Sequence, residues 1–221
     1  MMTKSLISHA PAMNSRRSLL RPLFVLALAA SSVPMLQGCF PIVAAGAGGA
    51  VMSALDRRTS GTQVEDEGIE LRAGSRLREK LGNRANINVT SYNRNVLLTG
   101  QVADEATRAE ASTLLAEVPN VRGVSNETEI AGVSSLTERS NDALITSKVK
   151  ARILDSQRVS ANHVKVVTEM SKVYLMGLLT ETEAKAAKEV AASTGGVRKV
   201  VAIFEIVTPE EARRMDQASG K

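Results

Sequence analysis

The chain has 221 residues and a formal net charge of +5, with one cysteine, two histidines and no tryptophan. Four of its 28 lysine and arginine residues precede Cys39 and no acidic residue does, so the remainder carries 24 basic against 23 acidic residues, a formal charge of +1. This balance gives no support to nucleic-acid binding, and one cysteine is too few for a disulfide within the chain or a cysteine-ligated zinc site. His163, in a predicted loop, is the only histidine after Cys39, and no nucleotide-binding or hydrolase motif is present. We therefore expect neither an enzyme nor a cofactor.

Residues 1–38 have the pattern of a secretory signal peptide. Arg16, Arg17 and Arg21 lead into an uncharged apolar run at 22–33, and the segment LQGC that ends at Cys39 resembles a bacterial lipobox. A lipobox cysteine is acylated and becomes the first residue of the mature protein, so we predict that Cys39 is the lipidation site. The alternative is an ordinary secretory signal that leaves Cys39 as a free thiol.

Residues 39–64 are predicted to form a flexible tether next to the acylated cysteine. The segment 40–54 is apolar and rich in glycine, but it is shorter than the roughly 20 apolar residues that a transmembrane helix needs. Phe40 occupies the position at which an aspartate directs many lipoproteins to inner-membrane retention, so we expect an anchor in the outer membrane. A fully processed lipobox cysteine carries three acyl chains, and two already suffice for stable anchoring.

After the tether the chain repeats itself, which predicts two small domains. The predicted parts are a first domain at 65–133, a linker at 134–141, a second domain at 142–208 and a mobile tail at 209–221. The clearest matches are 75–78 with 147–150 and 96–100 with 173–177. Because the spacing between matched residues grows from 72 to 77, we expect extra loop residues in the second unit, between Leu154 and His163.

Hydrophobic periodicity predicts the same order of elements in both units. Apolar residues at every fourth position indicate a first helix in each: Ala73, Leu77 and Leu81, and Ile145, Val149 and Ile153. Two strands follow, with turns at 92–95 and 169–172, and Gly100 and Gly177 are expected to end the second strand at a sharp turn. A second helix, capped in the second unit by Thr180 and Glu183, precedes a final strand at 123–130 or 200–207. The predicted fold class is α+β: two tandem αββαβ domains, each a small three-stranded mixed sheet packed by two helices.

With these elements the chain resembles the dual-BON-domain outer-membrane lipoproteins. The resemblance runs from the lipobox to about residue 207 and includes Gly100 and Gly177. Its most specific stretches are TSGTQV at 59–64, ND at 141–142 and YLMGLLTE at 174–181. It implies a lipid-anchored protein of the outer membrane that faces the periplasm, maintains envelope integrity and, in some bacteria, accumulates at the division site. It also implies that the second BON domain binds anionic phospholipid, phosphatidylglycerol or cardiolipin, and that the outer-membrane assembly machinery is a further partner.

A helical wheel for 142–155 supports the lipid hypothesis from the residues themselves. Ile145, Val149 and Ile153 fall on one side and should pack on the sheet. A mildly apolar stripe falls on another side; it consists of Ala143, Leu144, Ser147, Ala151 and Leu154, with Lys148 and Lys150 at its borders. Such a stripe suits a membrane interface, where lysines meet anionic headgroups. The predicted lipid-binding residues are Leu144, Ser147, Lys148, Lys150, Ala151, Arg152 and Leu154.

The first helix of the first unit serves as an internal comparison. In the matched register, Arg72 and Arg76 stand in place of Leu144 and Lys148, and this helix is more polar and mixed in sign. Lipid contact is therefore expected mainly from the second domain. One member of the family that this chain resembles has a tryptophan at the position of Leu144, and leucine lacks the preference of indole for the headgroup layer.

Two other roles for the stripe stay open from sequence alone. In one, Leu144 and Leu154 pack against the first domain or against the extra loop, and so do not contact lipid. In the other, the stripe belongs to a non-catalytic adaptor that binds a protein partner of the envelope, such as an outer-membrane assembly factor or another lipoprotein. Dependence of binding on lipid charge and on salt separates the lipid hypothesis from the adaptor hypothesis.

Overall fold

The computed structural model describes residues 56–219. The predicted signal peptide, Cys39 and most of the predicted tether lie outside the described residues, so the predictions made for them stay predictions. Within 56–219, no helix is both long and apolar enough to cross a membrane.

Two αββαβ units follow one another in the chain, as predicted. The first consists of α1 (Ser60–Leu81), β1 (Ala85–Tyr92), β2 (Asn95–Val102), α2 (Glu105–Ala116), β3 (Gly123–Asn126) and β4 (Glu129–Ile130). The second consists of α3 (Leu136–Ser156), β5 (Val164–Glu169), β6 (Lys172–Leu179), α4 (Glu181–Ala192) and β7 (Lys199–Ile206). A last helix, α5 (Pro209–Ser219), follows the second unit.

Each unit builds a mixed sheet around its second strand, which confirms the predicted fold class. β2 pairs antiparallel with β1 and parallel with β3 and β4, and β6 pairs antiparallel with β5 and parallel with β7. The final strand predicted at 123–130 is interrupted in the first unit. At the break the Asn126 side-chain oxygen accepts hydrogen bonds from the N–H and the hydroxyl of Thr128, at 3.1 and 2.6 Å.

The two helices of each unit cover one face of its sheet. The core of the first unit includes Ile69, Ala73, Leu77, Val96, Leu98, Ala111 and Leu115. The core of the second includes Ile145, Val149, Ile153, Val173, Leu175, Ala187 and Ala191. Side chains at intervals of four therefore form the buried faces of α1 and α3, as the periodicity predicted.

The uncovered faces of the two sheets pack against each other. Tyr92 and Leu97 of the first unit share an apolar cluster with Tyr174, Met176 and Leu178 of the second. Seven consecutive residues of β2 and of β6 are buried, since helices cover one face of each strand and the other unit covers the opposite face. The two units are therefore joined through a common core rather than by their linker alone.

The segment before α1 and the C-terminal helix α5 meet at one end of β6. Arg57 is almost fully buried, and each of its five guanidinium N–H groups donates a hydrogen bond, at 2.8–3.1 Å. The acceptors are the carboxylates of Glu183 and Asp216 and the carbonyl of Leu178. The prediction of a mobile C-terminal tail is wrong for its described part, because α5 buries Ala212 and ties Asp216 to Arg57.

Two predicted domain boundaries also differ from the structure. α1 begins at Ser60 with Thr59 as its cap, inside the predicted tether, and α3 begins at Leu136 with Ser135 as its cap, inside the predicted linker. The first turn of α3 is exposed, and that of α1 is exposed or half-buried and contains no apolar side chain. They therefore lack the apolar periodicity from which a helix is recognised in sequence.

Gly100 and Gly177 lie inside β2 and β6 and do not end these strands at a turn, contrary to the prediction. A Cβ atom on Gly100 would come within 2.1 Å of the Asn86 carbonyl oxygen, and one on Gly177 within 2.5 Å of the His163 carbonyl oxygen. Gly100 also has a φ of +108°, which residues with a side chain rarely adopt. The two glycines are needed because neighbouring strands approach closely at these points.

The first helices of the two units align with an offset of 76 residues rather than 72. Asp66 in α1 and Asp142 in α3 each accept hydrogen bonds from both backbone N–H groups of the following hairpin turn. Arg76 and Arg152, with the same offset, both bind the C-terminal end of the second helix of their unit. The hairpin turns are 77 residues apart. The second unit therefore has one residue more than the first between matched positions, fewer than the predicted spacing suggested. Its extra loop lies where it was predicted, between Leu154 and His163: residues 157–160 separate α3 from a short 3-10 turn at Ala161–His163, whereas in the first unit the turn at Gly82–Arg84 follows α1 directly.

Candidate functional site

The predicted site lies on α3, and a capping box fixes where this helix starts. The Ser135 hydroxyl accepts a hydrogen bond from the Glu138 N–H at 3.2 Å, and the Glu138 carboxylate accepts one from the Ser135 N–H at 2.7 Å. The hydrogen bond from the Ser135 N–H also lowers the pKa of Glu138. The pattern S-x-x-E at 135–138 is the sequence signal for a helix that starts at Leu136.

Asp142 holds the inner side of α3 against the hairpin between β5 and β6. Its two carboxylate oxygens accept hydrogen bonds from the N–H groups of Met170 and Ser171, both at 2.8 Å. These two turn residues have left-handed backbone, with φ of 51° and 62°, a conformation that needs support from its surroundings. Together with the buried apolar face of α3, this clamp decides which side of the helix faces solvent.

The predicted stripe lies on that solvent side. Leu144 and Leu154 have 60% and 65% of their surface exposed, and Lys148, Lys150 and Ala151 are also exposed. Exposure of this size contradicts the alternative in which the two leucines pack against the first unit or an extended loop. Ser147 is exposed as well, and its hydroxyl donates a hydrogen bond to the backbone carbonyl one turn earlier, at 2.9 Å.

The basic residues of the predicted site differ in their contacts. Lys148 and Lys150 form no ion pair with any other residue of the described chain. Arg152 instead donates hydrogen bonds to the carbonyl and hydroxyl of Ser193 and to the Thr194 hydroxyl, at the C-terminal end of α4. A cation is favoured there by the helix dipole. The two lysines thus remain available to an anion, whereas Arg152 first of all connects two helices.

Leu136 also belongs to the stripe, although the sequence reasoning assigned it to the linker. It is 75% exposed and precedes Leu154 by 18 residues. Eighteen residues make five full helical turns, so the two side chains lie on one line along α3, about 27 Å apart. Asp155, exposed beside Leu154, places one negative charge at the C-terminal end of the stripe.

The first unit presents a different surface even in the corrected register. The position of Leu144 is taken by Gly68, and that of Lys148 by Arg72, so the predicted matches were one helical turn out of register. Arg72 pairs with Glu65 at 2.6 Å, which compensates its charge. The face of α1 is therefore mixed in sign, as expected, and differs from that of α3.

The exposed side of α3 offers apolar contact and positive charge rather than a set of converging catalytic groups. It carries three exposed leucines and two unpaired ammonium groups. Within residues 56–219, no cluster of three or more histidine, cysteine, aspartate or glutamate side chains is placed to hold a metal ion. Such a surface is suited to contact with an apolar layer that lies beneath a layer of negative charge.

Comparison with known proteins finds the same architecture. The model of the BON domain family matches the chain twice, at residues 66–132 and 141–208. The chain is 35% identical over 188 residues to the outer membrane lipoprotein DolP of Haemophilus influenzae, covering 84% of this chain and 97% of that protein. It is 37% identical over 155 residues to the 21 kDa hemolysin of Actinobacillus pleuropneumoniae, covering 69% and 80%. It is 30% identical over 117 residues to the osmotically-inducible protein Y of Escherichia coli, covering 52% and 58%.

Each match of the family model begins inside the first helix of a unit and ends just after its final strand. The similarity to DolP extends beyond both units and covers nearly all of that protein. The chain therefore belongs to the BON domain family, as an outer membrane lipoprotein with two BON domains.

Proposed function

We propose that this protein faces the periplasm from an acyl anchor at Cys39, and that it binds anionic phospholipid through the exposed side of α3. This contact would help to maintain the integrity of the envelope. In bacteria in which the protein accumulates at the division site, it would do so there. The observation that carries the proposal is a line of exposed leucines on α3 bordered by two lysines without ion pairs.

Charge and apolar burial both contribute to such binding. Each lysine close to an anionic surface contributes about 1 kcal/mol. A leucine gains roughly 1.5–3 kcal/mol when it is fully removed from water, and correspondingly less at the interface. Ser147 and Ala151 are small enough to let the helix approach the headgroups. The sum is modest for the domain alone, but an acyl anchor holds it near the bilayer at high effective concentration.

Co-sedimentation with vesicles tests the proposal. The protein without acyl chains, with Cys39→Ser, is mixed with vesicles of phosphatidylglycerol or phosphatidylcholine at low and high salt. We expect salt-sensitive binding to phosphatidylglycerol only. Leu144→Glu and the pair Lys148→Glu/Lys150→Glu should each weaken it, because one places a carboxylate in the apolar stripe and the other reverses the charge of its borders.

Two matched variants control for changes in overall charge. Leu71→Glu alters a leucine on α1 that is 71% exposed, and Lys185→Glu/Lys188→Glu reverses two exposed lysines on α4. Both should bind phosphatidylglycerol nearly as well as the unaltered protein. If these controls lose binding to the same extent, the site is not on α3. Absence of any binding to phosphatidylglycerol at low salt contradicts the proposal.

The second candidate function is an adaptor that binds a protein partner of the envelope, such as an outer-membrane assembly factor. The same exposed leucines on α3 favour it, since they would suit a protein interface as well. It predicts capture of a defined partner that is independent of lipid charge and is lost in Leu144→Glu. Vesicle binding in the absence of any other protein favours the lipid function over this one.

A further inference from the structure

The exposed apolar side chains of the structure are concentrated in one part of the chain. Of the eight large aliphatic side chains that are exposed within residues 56–219, five lie between Ile130 and Leu154. Ile130 ends β4, Val133 lies in the segment between the domains, and Leu136 begins α3, with exposures of 56%, 67% and 75%. Ile130, Val133 and Leu136 fall within seven consecutive residues, and exposed aliphatic residues that lie together mark a contact surface more often than scattered ones do.

The segment between the domains is held in place by a buried serine. Ser134 donates its hydroxyl proton towards Glu169 at 3.2 Å and its N–H to the Gln101 side-chain oxygen at 3.3 Å. The Gln101 side-chain amide in turn donates to the Ser134 hydroxyl at 2.8 Å. Because Ser134 points inward between the two domains, the exposure of Val133 and Leu136 on either side of it is built into the fold.

We infer that the membrane-binding surface has two ends, one at Leu154 and the other formed by Ile130, Val133 and Leu136 in and beside the segment between the domains. Leu136 and Leu154 lie on one line of α3, about 27 Å apart. Contact at both ends lays α3 parallel to the bilayer plane and brings the junction of the two BON domains to the membrane surface. This inference rests on the proposed lipid binding of α3.

Two features identify a bilayer as the occupant of this second end. The predicted lipidation site precedes Asp56 by 17 residues, a length of chain that spans at most about 60 Å, so the folded domains stay close to the membrane. Arg139, one turn after Leu136, is exposed and forms no ion pair with other described residues. It supplies at this end the positive charge that Lys150 supplies further along the helix.

Fluorescence depth measurements can locate both ends, because the chain contains no tryptophan and a single one can be introduced. We would place a tryptophan at Val133, Leu136 or Leu154 in the full acylated protein, reconstituted into vesicles of phosphatidylglycerol and phosphatidylcholine. Lipids brominated at different depths quench tryptophans that enter the bilayer. Leu71→Trp, on the exposed side of α1, is the control. Val133→Trp, Leu136→Trp and Leu154→Trp should be quenched from similar shallow depths, and Leu71→Trp should not.

The possible outcomes separate this inference from the function on which it rests. Quenching of Leu154→Trp without Val133→Trp and Leu136→Trp would leave lipid binding by α3 in place and overturn the second contact. Quenching no stronger than that of the control at all positions would contradict both. Equal strong quenching at all four positions would show that the protein has no defined orientation, and would also overturn the inference.

Paired substitutions provide an independent test. Val133→Ser/Leu136→Ser should lower the affinity of the non-acylated protein for phosphatidylglycerol vesicles about tenfold, because two apolar side chains no longer leave water. Val64→Ser/Leu71→Ser removes two aliphatic side chains of similar exposure from α1 and should leave the affinity unchanged. Thermal unfolding of both pairs should match that of the unaltered protein, since the affected side chains are exposed. Unchanged affinity in the first pair overturns the inference.

Discussion

Removal of the Arg57 guanidinium tests whether its contacts with α5 and with the second domain stabilise the fold. Arg57→Met keeps most of the aliphatic stem but deletes all five hydrogen bonds to Glu183, Asp216 and Leu178. Removing one partner of a buried ion pair costs about 3–5 kcal/mol. Asp216 is partly exposed and regains water, so we expect the free energy of unfolding to fall by about 2–4 kcal/mol.

Urea unfolding followed by circular dichroism measures this change. Arg213→Met is the matched control on α5, because its ion pair with Glu210 is exposed on both sides and contributes at most about 0.5 kcal/mol. A loss for Arg57→Met as small as that of the control would refute the reasoning that this buried contact stabilises the fold.

The pH dependence gives a second readout of the same contact. Burial alone would raise the pKa of Glu183, but hydrogen bonds from Arg57 and from the Thr180 N–H outweigh it, so its pKa lies below the ordinary 4.5. The folded protein thus binds this proton less readily than the unfolded chain. The resulting stability is present above about pH 4.5 and is lost as the pH falls through the lowered pKa. In Arg57→Met the decline of stability with acid should be shallower.

Three further predictions concern single positions. Gly100→Ala forces a Cβ against the Asn86 carbonyl oxygen and should destabilise the protein by about 2–5 kcal/mol in urea unfolding, whereas Gly132→Ala, with open space around it, should change stability little. Asp142→Ala leaves the two N–H groups of a hairpin turn without acceptors, so the free energy of unfolding should fall by about 2–4 kcal/mol. Replacement of an exposed residue by alanine should change it little. Burial lowers the pKa of His163, so its contribution to stability is present above pH 6.5 and is lost below it. In His163→Gln the free energy of unfolding should therefore vary less with pH between pH 7 and 5. An unchanged slope would contradict this assignment.

Much of the fold follows from short-range patterns in the sequence. Apolar residues at intervals of four placed the core faces of α1 and α3, and the Thr180 and Glu183 capping box is formed as predicted. The same periodicity could not fix the alignment of the two first helices. A shift of four residues rotates a helix by only about 40° beyond a full turn, so two registers give nearly the same apolar face. The buried Asp66 and Asp142 settle the register through contacts that sequence does not reveal.

The packing of one sheet on the other was missed for a different reason. The run from Val173 to Leu179 is almost entirely apolar, which is typical of a strand covered on both faces. The match of 96–100 with 173–177 predicts a strand at this place but does not indicate what covers its second face. The docking of α5 had no comparable signal, since it depends on where Arg57 lies in space.

The exposed side of α3 could be predicted from sequence, whereas its contacts with distant residues could not. The helical wheel placed Leu144 and Leu154 on the exposed side, and the structure leaves both of them exposed. It could not show that Arg152 is engaged by the end of α4, because that contact joins residues 41 positions apart. Leu136 lies in the predicted linker, but the capping box at 135–138 indicates that a helix begins there.

The contact between Arg57 and Asp216 joins residues 159 positions apart. Synthesis from the amino end presents Arg57 long before Asp216. Closing so long a loop adds an entropic cost that only the finished chain can offset. Each BON domain can therefore fold before this contact forms, and the hydrogen bonds from Arg57 to α5 become possible only after that helix has been synthesised.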